Sequence, residues 1–282
     1  MALLELNLSS RETSLQNLEK LPKLSPLLMQ FIALVAKPRC EVAELAALIE
    51  KDAVLSAQVL ERANSAWFGR VQPIRSLQHA IAMLGIGTMR RFALGSSISN
   101  LFAREKTAPS FSMARFNLHS VEAGTLVKLL AEAIPVPGRA SGFIAGLLHD
   151  IGTLLIATHM PKRFEEVLAM AAISGEPLLE CERQLLGTDH AELSALVISR
   201  WDLDDLIQAA AREHHAPPDR VDLTLLVHKA DKFVDYLGMS VLPATAPPQE
   251  PPTLDFPGVK YPMARVQQRF QAEWSNLWNL LQ

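Results

Sequence analysis

A chain of 282 residues, 49% hydrophobic and 20% charged, can bury a substantial core and is too apolar for a disordered protein. Its 27 Lys and Arg against 30 Asp and Glu leave a formal charge of -3, which gives no electrostatic reason to expect nucleic acid or anionic lipid as the main partner. Two cysteines, Cys40 and Cys181, stand far apart in no CxxC pair, which argues against a disulfide framework or a zinc ribbon and fits reduced thiols.

The opening "MALLELNLSSRET" lacks a basic leader and a long apolar core, and no uncharged apolar run elsewhere reaches membrane-spanning length. The expectation is a cytoplasmic protein with no membrane segment. After "LPKLSP", Leu27, Leu28, Phe31, Ile32, Leu34 and Val35 recur at helical spacing until "KPR", where Pro38 is the expected breaker. Val42, Leu45, Ala46 and Ile49 predict a second helix, and Asp52 is placed to cap a third carrying Leu55, Val59 and Leu60. "WFGRVQP" interrupts the pattern. Ser76 is placed to start a fourth helix through Leu77, Ala80, Ile81 and Leu84, and "GIGT" is expected to separate it from a fifth with Met89, Phe92 and Ala93.

Short helices with one apolar face each are best buried as a bundle, so residues 1–105 read as an N-terminal helical bundle ending near the polar break "AREKTAPS". Residues 106–282 read as a second helical domain. Its Val121, Leu126, Leu129 and Leu130 resume the helical period, and residues 244–253 form a Pro-rich loop expected to be extended and exposed. A last helix lines up Met263, Val266, Phe270, Trp274, Leu277, Trp278 and Leu281. A partner-binding face is the sharper reading of that stripe, but internal packing is the commoner cause and is preferred. The fold class is all-α, with the bundle packed against the second helical domain.

Seven of the eight histidines fall within residues 106–282. His119, the adjacent pair His149 and Asp150, then His190, His214, His215 and Asp231 are spread over several predicted helices. Side chains from facing helices can converge on an ion held in the wedge between them. Imidazole with carboxylate suits Mn, Fe or Zn better than Ca or Mg. An open position on such an ion would lower the pKa of bound water for attack on a phosphoester. Singly, each residue has a structural reading: a buried His hydrogen-bonded in the core, Asp150 as a cap, His214 and His215 as the entry to "APP". The set as a constellation raises the metal reading to equal standing.

The order His119, His149-Asp150, Asp231 resembles the H...HD...D signature of the HD superfamily of metal-dependent phosphohydrolases. The opening "LP", the block "IEKDAVLSAQVLERANSAWFG" and the block "SLQHAIAMLGIGTMR" are similar to the HDOD domain, the HD-related output domain of bacterial signalling proteins. "GLLHDIGTLLI" and "LLGTDHAELSALVISRWDLDDLIQAAAREHH" continue the likeness, which spans residues 20 to 240. It implies an HD-like helical second domain and a regulatory module without hydrolytic activity, often attached to receiver or other signalling domains. Here input is expected from a separate protein or a ligand. Asn64 and Ser65 match the family's NS pair. Read from the residues, Asn64 near a helix end satisfies loose backbone groups before Gly69.

Active HD-GYP enzymes, which hydrolyse cyclic di-GMP, carry a lysine three residues after the Asp of the pair and a GYP motif after a double histidine. This chain has Thr153 at the first position and "APPDRVDL" after His214-His215. Threonine cannot supply the fixed positive charge. The preferred expectation is a non-catalytic signalling protein that contacts partners such as a sensor kinase or a receiver-domain protein. A metal or nucleotide in the HD-type cleft would act as a switch. The expected metal ligands are His119, His149, Asp150 and Asp231, with His190, His214 and His215 as a second site, and the ion is Mn, Fe or Zn, or absent. The alternative is a metal-dependent phosphohydrolase of nucleotides or cyclic nucleotides in which Asp150 also positions the attacking water. A purely structural helical adaptor is the third reading.

Overall fold

The computed structural model describes residues 23–37, 39–64, 74–102, 105–242, 252–256 and 263–281, without the side chains of residues 36 and 274–281. Among these residues every regular element is helical, as expected. The α-helices are α1 (Pro26–Ala36), α2 (Val42–Ile49), α3 (Ala53–Ala63), α4 (Leu77–Leu84), α5 (Ile86–Leu101), α6 (Met113–Ala133), α7 (Gly142–Leu148), α8 (Ile151–His159), α9 (Pro161–Ser174), α10 (Leu178–Leu186), α11 (His190–Arg200), α12 (Asp205–Glu213), α13 (Leu223–Tyr236) and α14 (Met263–Leu281). The chain divides into two units, one of residues 24–101 with 262–282 and one of residues 102–261.

In the first unit Asp52 and Ser76 cap helices where the sequence predicts them, and Ser25 adds a cap that the sequence analysis did not name. Ser25 accepts from the Leu28 amide at 3.1 Å with Pro26 at the first helical position, and Asp52 accepts from Leu55 at 3.0 Å. Ser76 accepts more loosely from His79, at 3.4 Å. The expected "GIGT" break contracts to one residue. Gly85, at φ +86, ends α4, and α5 begins at Ile86, because a left-handed turn needs a single glycine and no loop. Arg90 of α5 donates to the carbonyls of Leu34 (2.6 Å), Val35 and Lys37 (3.0 Å) at the C-terminal end of α1, where the helix offers few amide donors. The Asn64 amide donates to Leu60 O and Ile74 O, both at 2.8 Å, and accepts from the Ile74 amide, so it serves loose backbone groups as its residue type predicts. Pro38, Ser65, Gly69 and "WFGRVQP" lie outside the described residues, as do residues 244–251 of the Pro-rich stretch.

Helix α14, read from sequence as part of the second domain, clusters instead with the first unit. Val266 and Phe270 are buried there, and Glu273 meets Arg91 of α5 at 2.6 Å. The apolar stripe foretold packing but carried no address for it. Its Trp274, Leu277, Trp278 and Leu281 side chains lie outside the described set.

The second unit is arranged around α6, buried from Val121 to Val127 without interruption. Its closest neighbour is α7, and the two helices cross glycine on glycine. A Cβ on Gly124 would stand 2.7 Å from Phe143 O, and one on Gly146 would stand 2.7 Å from Gly124 Cα. The start of α8 abuts the start of α11 even more closely: a Cβ on Gly152 would lie 2.1 Å from His190 O, and the Gly152 amide donates to Ser194 Oγ at 2.8 Å. Residues 139–159, although interrupted by Asp150, are apolar and long enough by composition to cross a membrane. But 89% of the most apolar window is buried inside the unit, as in a core helix pair.

Gly152→Ala is therefore expected to lower stability by at least about 2 kcal/mol, since backbone rather than a flexible side chain must give way. Gly175→Ala, at φ +70 with open space around it, should cost only the strain of the left-handed conformation, about 1 kcal/mol. Denaturant unfolding followed by circular dichroism checks the contrast.

Candidate metal centre

Seven side chains singled out from the sequence meet inside the second unit. His119 comes from α6, His149 and Asp150 from the junction of α7 and α8, His190 from the first position of α11, His214 and His215 from the end of α12, and Asp231 from α13. The junction explains the adjacent pair. Helix α7 stops at Leu148 and α8 restarts at Ile151, so His149 and Asp150 occupy the corner between them. Asp150 stands at the N-cap position of α8 yet its side chain makes no capping hydrogen bond, so the capping role weighed for it from sequence is not used.

Four imidazoles are held by the ring nitrogen that faces away from the cluster. Nδ1 of His149 lies 2.8 Å from Gly146 O, Nδ1 of His214 lies 2.8 Å from Ala211 O, and Nδ1 of His119 lies 3.1 Å from Met239 O. Nδ1 of His190 lies 2.7 Å from Glu182 Oε2. A carbonyl and a carboxylate only accept, so each Nδ1 must carry the proton. In each neutral ring the lone pair then sits on Nε2. All four Nε2 atoms turn inward.

There they surround two carboxylates. Asp150 Oδ1 is 3.7, 3.6 and 3.4 Å from Nε2 of His149, His190 and His214, while its Oδ2 is 3.8 Å from Nε2 of His119. Asp231 Oδ1 is 3.4 and 3.5 Å from Nε2 of His119 and His149. The two Nε2 atoms of His119 and His149 are 3.3 Å apart, and those of His190 and His215 are 2.6 Å apart. Donors bound to one ion at about 2.1 Å stand about 3.0–3.4 Å from each other, so these separations are close to those of a coordination sphere. Two buried atoms aimed into the centre, Asp150 Oδ1 and His214 Nε2, have no hydrogen-bond partner, as expected of atoms whose partner is an ion. The residues present fit a divalent transition metal, and Asp150 stands within 3.8 Å of the Nε2 atoms of His119, His149, His190 and His214.

The electrostatics show what the centre needs. Burial would push Asp150 and Asp231 upward, but the surrounding histidines overcome it and hold both well below the usual carboxylate range. Conversely, burial would pull His119 and His190 down, and the carboxylates instead raise them, His119 to about 9 through Asp231, Asp150 and Asp235, His190 to about 10 through Glu182 and Asp150. Burial keeps His214 below its ordinary value and drives His215 to about 2 beside the other two rings. Without a metal, protons on His119 and His190 neutralise the carboxylates; a divalent ion can replace them.

Three residues of the site escaped the sequence reading. Asp235 lies 3.5 Å from His119 Nδ1 and is raised to about 6 by burial and by Asp231; its position four residues after Asp231 on one helix was a usable signal. Glu182 reaches His190 from the preceding helix, and Arg115, four residues before His119, donates to Ser240 O at 3.2 Å on the loop that carries Met239 O. Neither had a motif to find it by.

The sequence profile of the HDOD domain matches residues 21–217. An uncharacterised protein of Treponema pallidum (strain Nichols) is 20% identical over 207 residues; the match covers 71% of this chain and only 39% of that relative's length. Among solved structures, a candidate signal transduction protein from Marinobacter aquaeolei VT8 superposes with a TM-score of 0.70 at 18% identity, covering 98% of this chain and 65% of that one. A candidate phosphohydrolase from Shewanella amazonensis SB2B gives 0.66 at 21%, covering 96% and 98%. An HDOD domain protein of unknown function from Geobacter sulfurreducens gives 0.64 at 23%, covering 96% and 89%. At such identities the structural likeness speaks for the fold. The sequence match, over more than half of the chain, speaks for the lineage: the protein belongs to the HDOD domain family.

Proposed function

We propose that this chain is an output or regulatory protein of bacterial signal transduction, non-catalytic and cytoplasmic, whose His/Asp centre holds Mn, Fe or Zn to stiffen or switch the second unit. Its partners are signalling proteins such as a sensor kinase or a receiver-domain protein. The supporting observation is a ligand set that is complete yet enclosed. His119, His149, His190, His214, Asp150 and Asp231 are pre-oriented, and none has a side chain more than 13% exposed. A hydrolase must bring a phosphoester to an open position on its metal, whereas a closed set suits a structural or switching ion. Thr153, buried beside Asp150 where active HD-GYP enzymes carry lysine, adds to this.

The intact ligands favour a second reading, a metal-dependent phosphohydrolase of nucleotides or cyclic nucleotides. His119, His149, Asp150 and Asp231 would hold the ion, which would acidify a bound water, and Asp150 would orient that water.

Protein purified without chelator should contain at least about one equivalent of Mn, Fe or Zn by elemental analysis, and Asp150→Ala should lose it. Metal below a few tenths of an equivalent, with none regained on dialysis, overturns the metal reading. Wild type and Asp150→Ala should leave a nucleotide panel equally untouched; metal-dependent turnover by wild type alone would favour the hydrolase.

Metal uptake should also expel protons. His119 and His190, raised to about 9 and 10, carry Nε2 protons at pH 7 that an ion must displace, so affinity should rise with pH up to that range. Calorimetry in buffers of different ionisation enthalpy reads the released protons directly.

A further inference from the structure

His149 and His214 stand at helix ends, where the carbonyl three residues back is available to hold Nδ1. His190 has no such carbonyl in its own helix, because it is the first residue of α11. Its place at a helix N-terminus also disfavours positive charge on the ring. The chain meets both needs with Glu182 of α10. This side chain is 4% exposed, and its Oε2 accepts from the His190 backbone amide at 2.9 Å and from His190 Nδ1 at 2.7 Å. The neighbouring Arg183 guanidinium is directed elsewhere, to Asp189 at 2.8 Å and Glu180 at 2.6 Å. Asp189 in turn caps α11 through the Glu192 amide at 2.8 Å. The two carboxylates thus divide the work: Asp189 secures the helix start, and Glu182 secures the ring projecting from it.

We propose that Glu182 is the positioning residue of the ion subsite formed by Asp150, His190, His214 and His215. It fixes the His190 tautomer and makes that ring a stronger nitrogen donor than the three held by neutral carbonyls. The inference rests on the metal reading given above. A carboxylate behind an imidazole increases its electron donation to a metal, and loss of such a partner commonly weakens affinity about 10–100-fold. Glu182 touches no ion itself; it acts through His190.

The test is a Co²⁺ titration of the metal-free full chain, with absorbance and chelator competition as readouts, on wild type, His190→Ala, Glu182→Gln and the double variant. The equivalent lost in His190→Ala is expected to weaken about 10–100-fold in Glu182→Gln, with its d–d bands altered. Any Co²⁺ bound independently of His190 should keep its affinity, and Glu182→Gln should add nothing to His190→Ala. Wild-type affinity in Glu182→Gln for the His190-dependent ion overturns the proposal while leaving the metal reading intact. Equal weakening of all bound Co²⁺ together with a lower melting temperature of the metal-free Glu182→Gln chain overturns it in favour of a general folding role. No Co²⁺ uptake by wild type removes the metal reading and this proposal together.

Discussion

Asp150 and Asp231 carry negative charge into the interior of a helical unit, where an uncompensated carboxylate costs several kcal/mol. Most of the second unit's design can be read as a response to that cost. Five histidines from four elements gather at the two acids, and four of the rings donate outward so that their inner nitrogens remain available for a proton or an ion. The same demand for positive charge raises His119 and His190 and holds the two carboxylates ionised.

Convergence of this kind requires helices closer together than ordinary side chains permit. The glycine crossing of α6 on α7 brings His119 and His149 within 3.3 Å, and the contact of Gly152 with His190 O brings Asp150 to α11. Packing and chemistry are therefore one constraint at these positions: widening either crossing by one methyl group would separate the donors. The enclosure that follows from such packing is also what favours a held ion over an open catalytic one.

Much of this was legible in the chain itself. Asp52 and Ser76 announced their helices because capping is local, and His119, His149, Asp150 and Asp231 stood out because imidazole and carboxylate are conspicuous in apolar surroundings. What could not be read depends on tertiary addresses. Glu182 looks like any surface acid of an amphipathic helix until the "LLGTDH" turn folds it back on His190. The stripe of α14 declared that it packs without saying that its home is α5, and the oily run through His149 and Asp150 resembles a membrane span unless its burial is known. Asp235 lay between these cases, marked by its spacing but by nothing else.

The outer anchors of three rings, at Gly146, Ala211 and Met239, are main-chain oxygens, as are the Ser240 and Leu242 groups gripped by Arg115. A main-chain oxygen is present whatever side chain the codon specifies. The outward positions Leu237, Ser240 and Leu242 can therefore drift in sequence, exchanging their surface for new contacts, while Met239 and Val241 stay buried and the grip on His119 is inherited unaltered. Such a loop lets a lineage diversify what the module meets without disturbing what the module holds.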